Sequence, residues 1–189
     1  MGISIRKAEE KDRQTLAELL IEAFRGQIPG LDEYASQIMP YLLENLILER
    51  FLVAEEGQVA GLIALSNGRE RMVRVDKKEL RRLYGLAVSL IAAPILRDEF
   101  EKELDLPEGG QFVEALAVSP DFQGKGVGRS LLRYAKAHGQ LPLTLDVADT
   151  NPRAMKLYEE EGFVETRREK VKHAKYKGSS EKIYMVYKG

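Results

Sequence analysis

One stretch, EALAVSPDFQGKGVGRSLL from Glu114 to Leu132, constrains the fold of this chain more than any other. Val113, Ala115 and Ala117 alternate with Glu114, Leu116 and Val118, the period of two of a β-strand. Ser119, Pro120 and Asp121 end the strand, since proline has no N–H for a ladder and Ser and Asp favour turns. Gly124, Gly126 and Gly128 then clear side chains from the backbone where Val127, Leu131 and Ala135 begin a helical period. A strand, a glycine-rich turn and a helix start, in that order, present free N–H groups and the positive end of a helix dipole. Such an end binds phosphate groups.

Spacing narrows the kind of phosphate site. A Walker loop needs Lys-Ser/Thr after its last glycine, and here Arg129-Ser130 follows Gly128. The dinucleotide fingerprint needs one residue more before its last glycine. The string present is Gln-x-x-Gly-x-Gly, Gln123-Gly124-Lys125-Gly126-Val127-Gly128, directly after Leu116-Ala117-Val118 and Pro120. It resembles the acetyl-CoA pyrophosphate loop of the GNAT superfamily of N-acetyltransferases. A second string, NPRAMKLYEEEGF, places Asn151, Ala154, Tyr158 and Gly162-Phe163 at the spacing of the family's Asn-x-x-Ala-x-x-x-Tyr helix. The resemblance covers Gln111 to Phe163 well, the chain before Leu65 loosely, and the stretch between not at all.

The resemblance implies a GNAT fold of mixed α/β class: a twisted, mostly antiparallel sheet with helices on both faces. It implies acetyl-CoA as cosubstrate. The amides of Gln123, Gly124, Lys125, Gly126, Val127 and Gly128, with Arg129 and Ser130 at the helix start, would hold the pyrophosphate. The pantetheine arm would pass Leu116, Ala117 and Val118, where the family splays two strands apart, beside the helix of Asn151, Ala154 and Tyr158. Arg153 would approach the other end of the cofactor, and a backbone N–H near Val118 would meet the oxyanion. Tyr158, at the matching position, would be the general acid for the CoA sulfur, because a phenol is protonated at neutral pH. Glu114, a carboxylate among apolar neighbours on the central strand, is the candidate base, acting directly or through a water. The alternative for Glu114 is an exposed edge or an ion pair with an arginine of the inserted stretch. For Tyr158 the alternative is a half-buried aromatic on a helix face.

Composition removes other chemistries. The chain has 189 residues, 44% hydrophobic and 31% charged, as expected for one soluble globular domain. With no cysteine, a disulfide, a thiolate nucleophile and a covalent thioester intermediate are excluded; with two histidines, no metal centre is expected. A net charge of -1 argues against bulk attraction to nucleic acid or membrane. The N-terminus is charged at once, and no apolar run is long enough to span a bilayer, so a cytoplasmic location is expected.

The remaining elements follow in order. Ile3 and Ile5 mark a first strand, and Asp12 is placed to cap a helix through Leu16, Leu19, Leu20, Ala23 and Phe24, stopped at Gly26. A loop from Arg25 to Leu31 precedes a helical segment over 32–49, broken or kinked near Pro40. Phe51 to Ala54 and Val59 to Leu65 read as a hairpin turned at Glu56-Gly57. An insertion over about 70–108 opens with a basic run (Arg69, Arg71, Arg74, Lys77, Lys78, Arg81, Arg82). It continues as a helical pattern through Leu80, Leu83, Tyr84, Ala87, Val88 and Ile91, then past Pro94 to Phe100 and Leu104. It reads either as an extra layer or dimer contact, or as a wall of the acceptor pocket. After the glycine turn, a helix runs to His138 with Gly139 as its stop, and Leu143, Leu145 and Val147 mark the next strand. Asn151 caps a helix that Pro152 opens and Gly162 ends. Phe163 to Lys170 and Lys182 to Tyr187 close the chain as an antiparallel pair, joined by a polar linker with Lys172, Lys175 and Lys177.

The reading is a single domain over 1–189 that moves an acetyl or acyl group from acetyl-CoA to a primary amine of a small molecule or peptide. Transfer is direct, in a ternary complex. The loop Arg25 to Leu31 with Tyr34, Tyr41 and Tyr84 would wall the acceptor pocket; the oligomeric state is left open by the sequence, and the apolar faces of the inserted helices are compatible with a homodimer. The alternative is a non-catalytic acyl-CoA sensor or interaction module with the same fold.

Overall fold

The computed structural model describes residues 2–25, 31–86, 90, 104, 106–171 and 179–189. Among them, seven strands form one sheet: β1 (Ser4–Lys7), β2 (Phe51–Glu55), β3 (Val59–Ser66), β4 (Gln111–Val118), β5 (Leu143–Ala148), β6 (Val164–Lys170) and β7 (Glu181–Tyr187). Their spatial order is β1-β2-β3-β4-β5-β7-β6, and every neighbouring pair is antiparallel except β4 with β5. The helices are α1 (Arg13–Phe24), α2 (Leu31–Asn45), α3 over 77–86, α4 (Val127–His138) and α5 (Pro152–Glu160). The expected class, a mixed and mostly antiparallel sheet with helices on both faces, is what the chain adopts.

Two apolar layers sandwich the sheet. On one side, Val127, Leu131, Leu132 and Ala135 form the inward stripe of α4 and meet Ile63, Leu145, Ile183 and Met185. The ring of Tyr158 on α5 joins them. On the other side, Leu16, Ala17 and Leu20 of α1 pack with Val53, Leu62, Ala64, Ala115 and Ala117, and Leu80 of α3 joins this layer. Because both faces are covered, β3 reads as an almost unbroken run of small and apolar residues.

Several local expectations change. The segment around Pro40 does not break: α2 runs through it, with Pro40 on the exposed side. Asp12 is not a side-chain cap of α1; buried, it takes a bidentate pair from Arg6 (2.6 and 2.9 Å) and a bond from the Glu9 N–H (2.8 Å). Gly139 stops α4 in an extended rather than a left-handed conformation. Gly26 and most of the Arg25 to Leu31 loop lie outside the described residues. So do the Tyr34 side chain, Ala87, Val88, Ile91, Pro94, Phe100, Lys172, Lys175 and Lys177.

The central strand also departs from simple alternation. Ala64 pairs with Ala115 but Leu65 pairs with Val113, so Glu114 is the extra residue of a β-bulge. The bulge turns Val113 to the same face as Leu116 and Val118, away from Ala115 and Ala117 with which its sequence phase grouped it. Beyond the bulge the two central strands part. β4 meets β5 only at Gln111–Leu143, Phe112–Thr144 and Val113–Leu145.

One close approach fixes α4 over the sheet. A Cβ on Gly61, opposite Val118, would stand 2.7 Å from the Ala117 carbonyl oxygen and 3.0 Å from Val127 Cγ1. Gly61→Ala is therefore expected to lower stability by about 1–3 kcal/mol, the usual cost of overpacking, and to displace the first turn of α4. Urea melts check the first effect. A matching loss of acetyl-CoA affinity checks the second.

Candidate active site

The site begins with the edge that the bulge leaves open. Ser119 donates its N–H to Ala60 of the β3 side (2.9 Å). Since strand amides alternate in direction, those of Ala117 and Ala115 also face β3, while the N–H and C=O groups of Leu116 and Val118 face the split. The Val118 carbonyl accepts from Gln123 Nε2 (3.4 Å), in keeping with that direction. β5 offers no ladder to these groups, because its own pairing with β4 ends at Leu145.

At the outer end of the split lies the glycine turn. Gly124 (φ 77°) and Gly126 (φ 83°) occupy left-handed backbone, where an L side chain is strained, and a Cβ on either would meet no atom within 4 Å. Gly126 is the N-cap of α4, and Ser130 is the residue whose N–H returns to its carbonyl (2.9 Å). The amides of Val127, Gly128 and Arg129 thus emerge at a bare helix end with the positive pole of the dipole behind them. Val127 sends its own side chain into the core. Gly128 marks the throat of the split: a Cβ there would touch Val118 and Leu116 of β4 and Leu157 of α5 at 3.5 to 3.8 Å.

The helix α5 forms the opposite wall. Asn151 caps it as expected, its Oδ1 accepting the Ala154 N–H (3.1 Å). Arg153 reaches across to Gln123 Oε1 (3.0 Å), so Gln123 links α5 to the end of β4. Tyr158 is buried, its ring tilted against Phe163 with centroids 5.8 Å apart. Its hydroxyl has no hydrogen-bond partner among the described residues, and burial, with Asp146 nearby, raises its pKa. The phenol stays protonated across the neutral range.

Glu114 stands at the bulge with its side chain almost wholly buried, ion-paired with Arg71 and accepting the Met72 N–H. Burial pushes its carboxyl upward, against the opposing pull of Arg71 and the Met72 amide. Of the two alternatives raised by the sequence, the ion pair with an arginine of the inserted stretch is what forms. Arg71 itself drew no particular notice in the sequence, where it was one of seven basic residues. Its signal was position: Arg71 directly precedes the apolar pair Met72-Val73, which buries the segment.

The side chains of the other candidates have partners within the protein. Arg129 pairs with Glu160, and lies 3.7 Å from Glu161, at the far end of α5. Burial alone would raise Glu161, but Lys136 and Arg133 together hold it below the usual carboxylate range, which clamps α4 to α5. Ser130 Oγ donates to the Gly126 carbonyl (3.1 Å), and Lys125 lies 4.9 Å over the Phe122 ring. Tyr41 is a core residue rather than a pocket wall: its hydroxyl donates to the Arg74 carbonyl (3.0 Å) and accepts the Asp76 N–H (2.9 Å). Tyr84 is partly buried against the same layer as α1. Among the described residues no helix is long and apolar enough to cross a membrane.

Comparison with known proteins meets this geometry. A Staphylococcus aureus Mu50 N-acetyltransferase superposes with a TM-score of 0.68 over 97% of this chain and all of its own, at 20% identity. The Salmonella typhimurium protein yncA, solved with its cofactor acetyl-CoA, superposes with a TM-score of 0.59 over the whole of this chain and 94% of its own, at 19% identity. Both show the shared fold. In sequence, the peptidyl-lysine N-acetyltransferase YjaB of Escherichia coli is 38% identical over 74 residues, 36% of this chain and half the length of that relative. The pattern of the Acetyltransferase (GNAT) family matches residues 13–163, most of the chain. The chain belongs to the GNAT acetyltransferase family.

Proposed function

We propose that this chain transfers an acetyl group from acetyl-CoA directly to a primary amine of a small molecule or peptide. The observation that carries this reading is the split beyond Val113. It has an unpaired strand edge on one side, a bare helix N-terminus at its mouth and a protonated phenol in its opposite wall. The open cradle in front of Gly124 and Gly126, where no atom stands within 4 Å of a Cβ, fits a pyrophosphate.

When bound, acetyl-CoA supplies a thioester whose acyl carbon an amine attacks and whose sulfur departs as a thiolate. The amides of Val127, Gly128 and Arg129 bind the diphosphate charge. The Leu116 and Val118 backbone groups bind the pantetheine amides as a neighbouring strand would, and an N–H of this edge donates to the oxygen on which negative charge develops. Tyr158 donates its proton to the leaving sulfur. Glu114 accepts the proton released by the amine, directly or through a water, and its burial-raised pKa suits a base that must return that proton to solvent. The YjaB resemblance supports a lysine side chain of a peptide as one acceptor.

Thermal melts with acetyl-CoA, CoA, ATP and NAD test the reading. A rise confined to the two CoA species is expected, worth about 2.7 kcal/mol at a hundredfold excess over the dissociation constant. Thiol release on adding amines should follow. CoA binding with no thiol release from any amine would favour a sensor, a reading that the engaged Glu114 carboxylate supports.

A further inference from the structure

A cavity of about 510 Å3 opens between the turn before β2 and the segment after β3. Among the described residues its lining includes Arg50, Arg69, Arg71 and Arg74, with Glu49 and Glu70. The fold assembles it through a short antiparallel contact. Ile47 N–H donates to the Met72 carbonyl and Arg74 N–H to the Asn45 carbonyl, both at 2.9 Å, about a Leu46–Val73 bridge.

Glu114 takes Arg71, and Glu70 takes one terminal nitrogen of Arg50. The Arg50 Nε–H is buried with no acceptor among the described residues. A buried donor in that state is an exception in folded proteins. The exposed Arg74 side chain has no ion-pair partner among the described residues. Ile47, Val73 and Val75 give the cavity an apolar flank.

Its place in the fold is informative. Val73 belongs to the layer under α1 and α2, whereas the glycine turn and α5 belong to the other face. Arg71 lines the cavity and at the same time holds Glu114 at the bulge. Arg71 thus stands between the cavity and the buried Glu114, and it is the residue that joins the cavity to the bulge where the split begins.

We infer that this cavity is the acceptor subsite and that it selects amines carrying a carboxylate. Arg50 and Arg74 take the carboxylate, and Ile47, Val73 and Val75 take the aliphatic chain. The planar, multi-donor guanidinium suits a carboxylate better than any other common anion-binding side chain. The inference rests on the acetyl-transfer reading of the split.

The test compares 5-aminovalerate with pentylamine, which share a five-carbon chain and differ in the carboxylate. Acetylation of 5-aminovalerate should be favoured by roughly tenfold or more in kcat/KM, mainly through KM, as a charge-assisted hydrogen bond allows. Arg50→Met and Arg74→Met should each erode that preference. Calorimetric binding of 5-aminovalerate to the protein without CoA gives a second readout, and Arg74→Met, at an exposed position, keeps it usable if Arg50→Met fails to fold. A lysyl peptide with aspartate beside the lysine shows whether a small acid or a peptide side chain supplies the carboxylate. Binding lost in Arg74→Met, with no thiol release from any amine, would uphold the carboxylate site and sink the acetyl-transfer reading. Equal use of the two amines, or binding that is absent in the wild type or unchanged in Arg74→Met, overturns the inference.

Discussion

Tyr158→Phe is expected to lower kcat for acetyl transfer by about 100- to 1,000-fold, the usual contribution of a positioned acid, while leaving acetyl-CoA affinity and folding intact. The phenol ring is core material, packed with Phe163 between α5 and the sheet, and phenylalanine reproduces that packing. What is lost is a hydroxyl with no partner among the described residues. Such a group contributes little to stability and is available to a ligand. Burial and Asp146 raise its pKa, so the proton is present over the whole neutral range. Single-turnover thiol release, set beside urea melts of the same protein, separates the two roles. Turnover within twofold of wild type would remove Tyr158 as the acid.

Arg71→Met should cost about 3–5 kcal/mol of stability, the penalty typical of leaving one member of a buried ion pair alone. Among the described residues the Glu114 carboxylate would keep only the Met72 N–H as a hydrogen-bond partner, in a place where burial already pushes its pKa up. Without Arg71 that pKa climbs further. A carboxyl raised in the folded state is at its most favourable below its unfolded value, near 4.5 here, and loses ground as the pH rises through the folded value. The deficit of Arg71→Met should therefore be small in acid and grow toward neutral and alkaline pH in urea melts. If Glu114 is also the base, the acid limb of kcat/KM moves to higher pH in the same variant. A deficit independent of pH would mean that Glu114 does not carry the charge assigned to it.

Much of the fold was legible because its signals are local. The Asn151 cap, the glycine turn and the inward stripe of α4 each depend on residues within one or two turns of each other, and each formed as its spacing predicts. The bulge at Glu114 was not legible. It depends on how β4 registers against β3, a contact made some fifty residues away along the chain, and no glycine or proline marks it. The same gap hid Arg71, whose importance comes from meeting Glu114 across that register. Pro40 reads as a break or a kink, and the break does not occur: on an exposed helix face tertiary packing of the rest of α2 carries the turn. The Arg129 guanidinium was equally illegible: its pairing with Glu160 and its approach to Glu161 depend on how α5 packs beside α4, which no local spacing announces.

The last strand in the sheet, β6, leaves all seven of its residues exposed, including both faces of the ribbon. An open edge of this kind is where one molecule can recruit the next into an extended β assembly. Here the edge reads VETRREK, and most of its charges are occupied locally. Arg168 pairs with Glu165 (2.7 Å), Arg167 with Glu169 (3.2 Å), and the Arg167 guanidinium stacks on the Tyr184 ring. A strand approaching from another chain would have to displace these pairs and dehydrate them before gaining a single backbone bond. The boundary of the sheet is thus guarded against runaway polymerisation by the side chains that make it look unlike a strand at all.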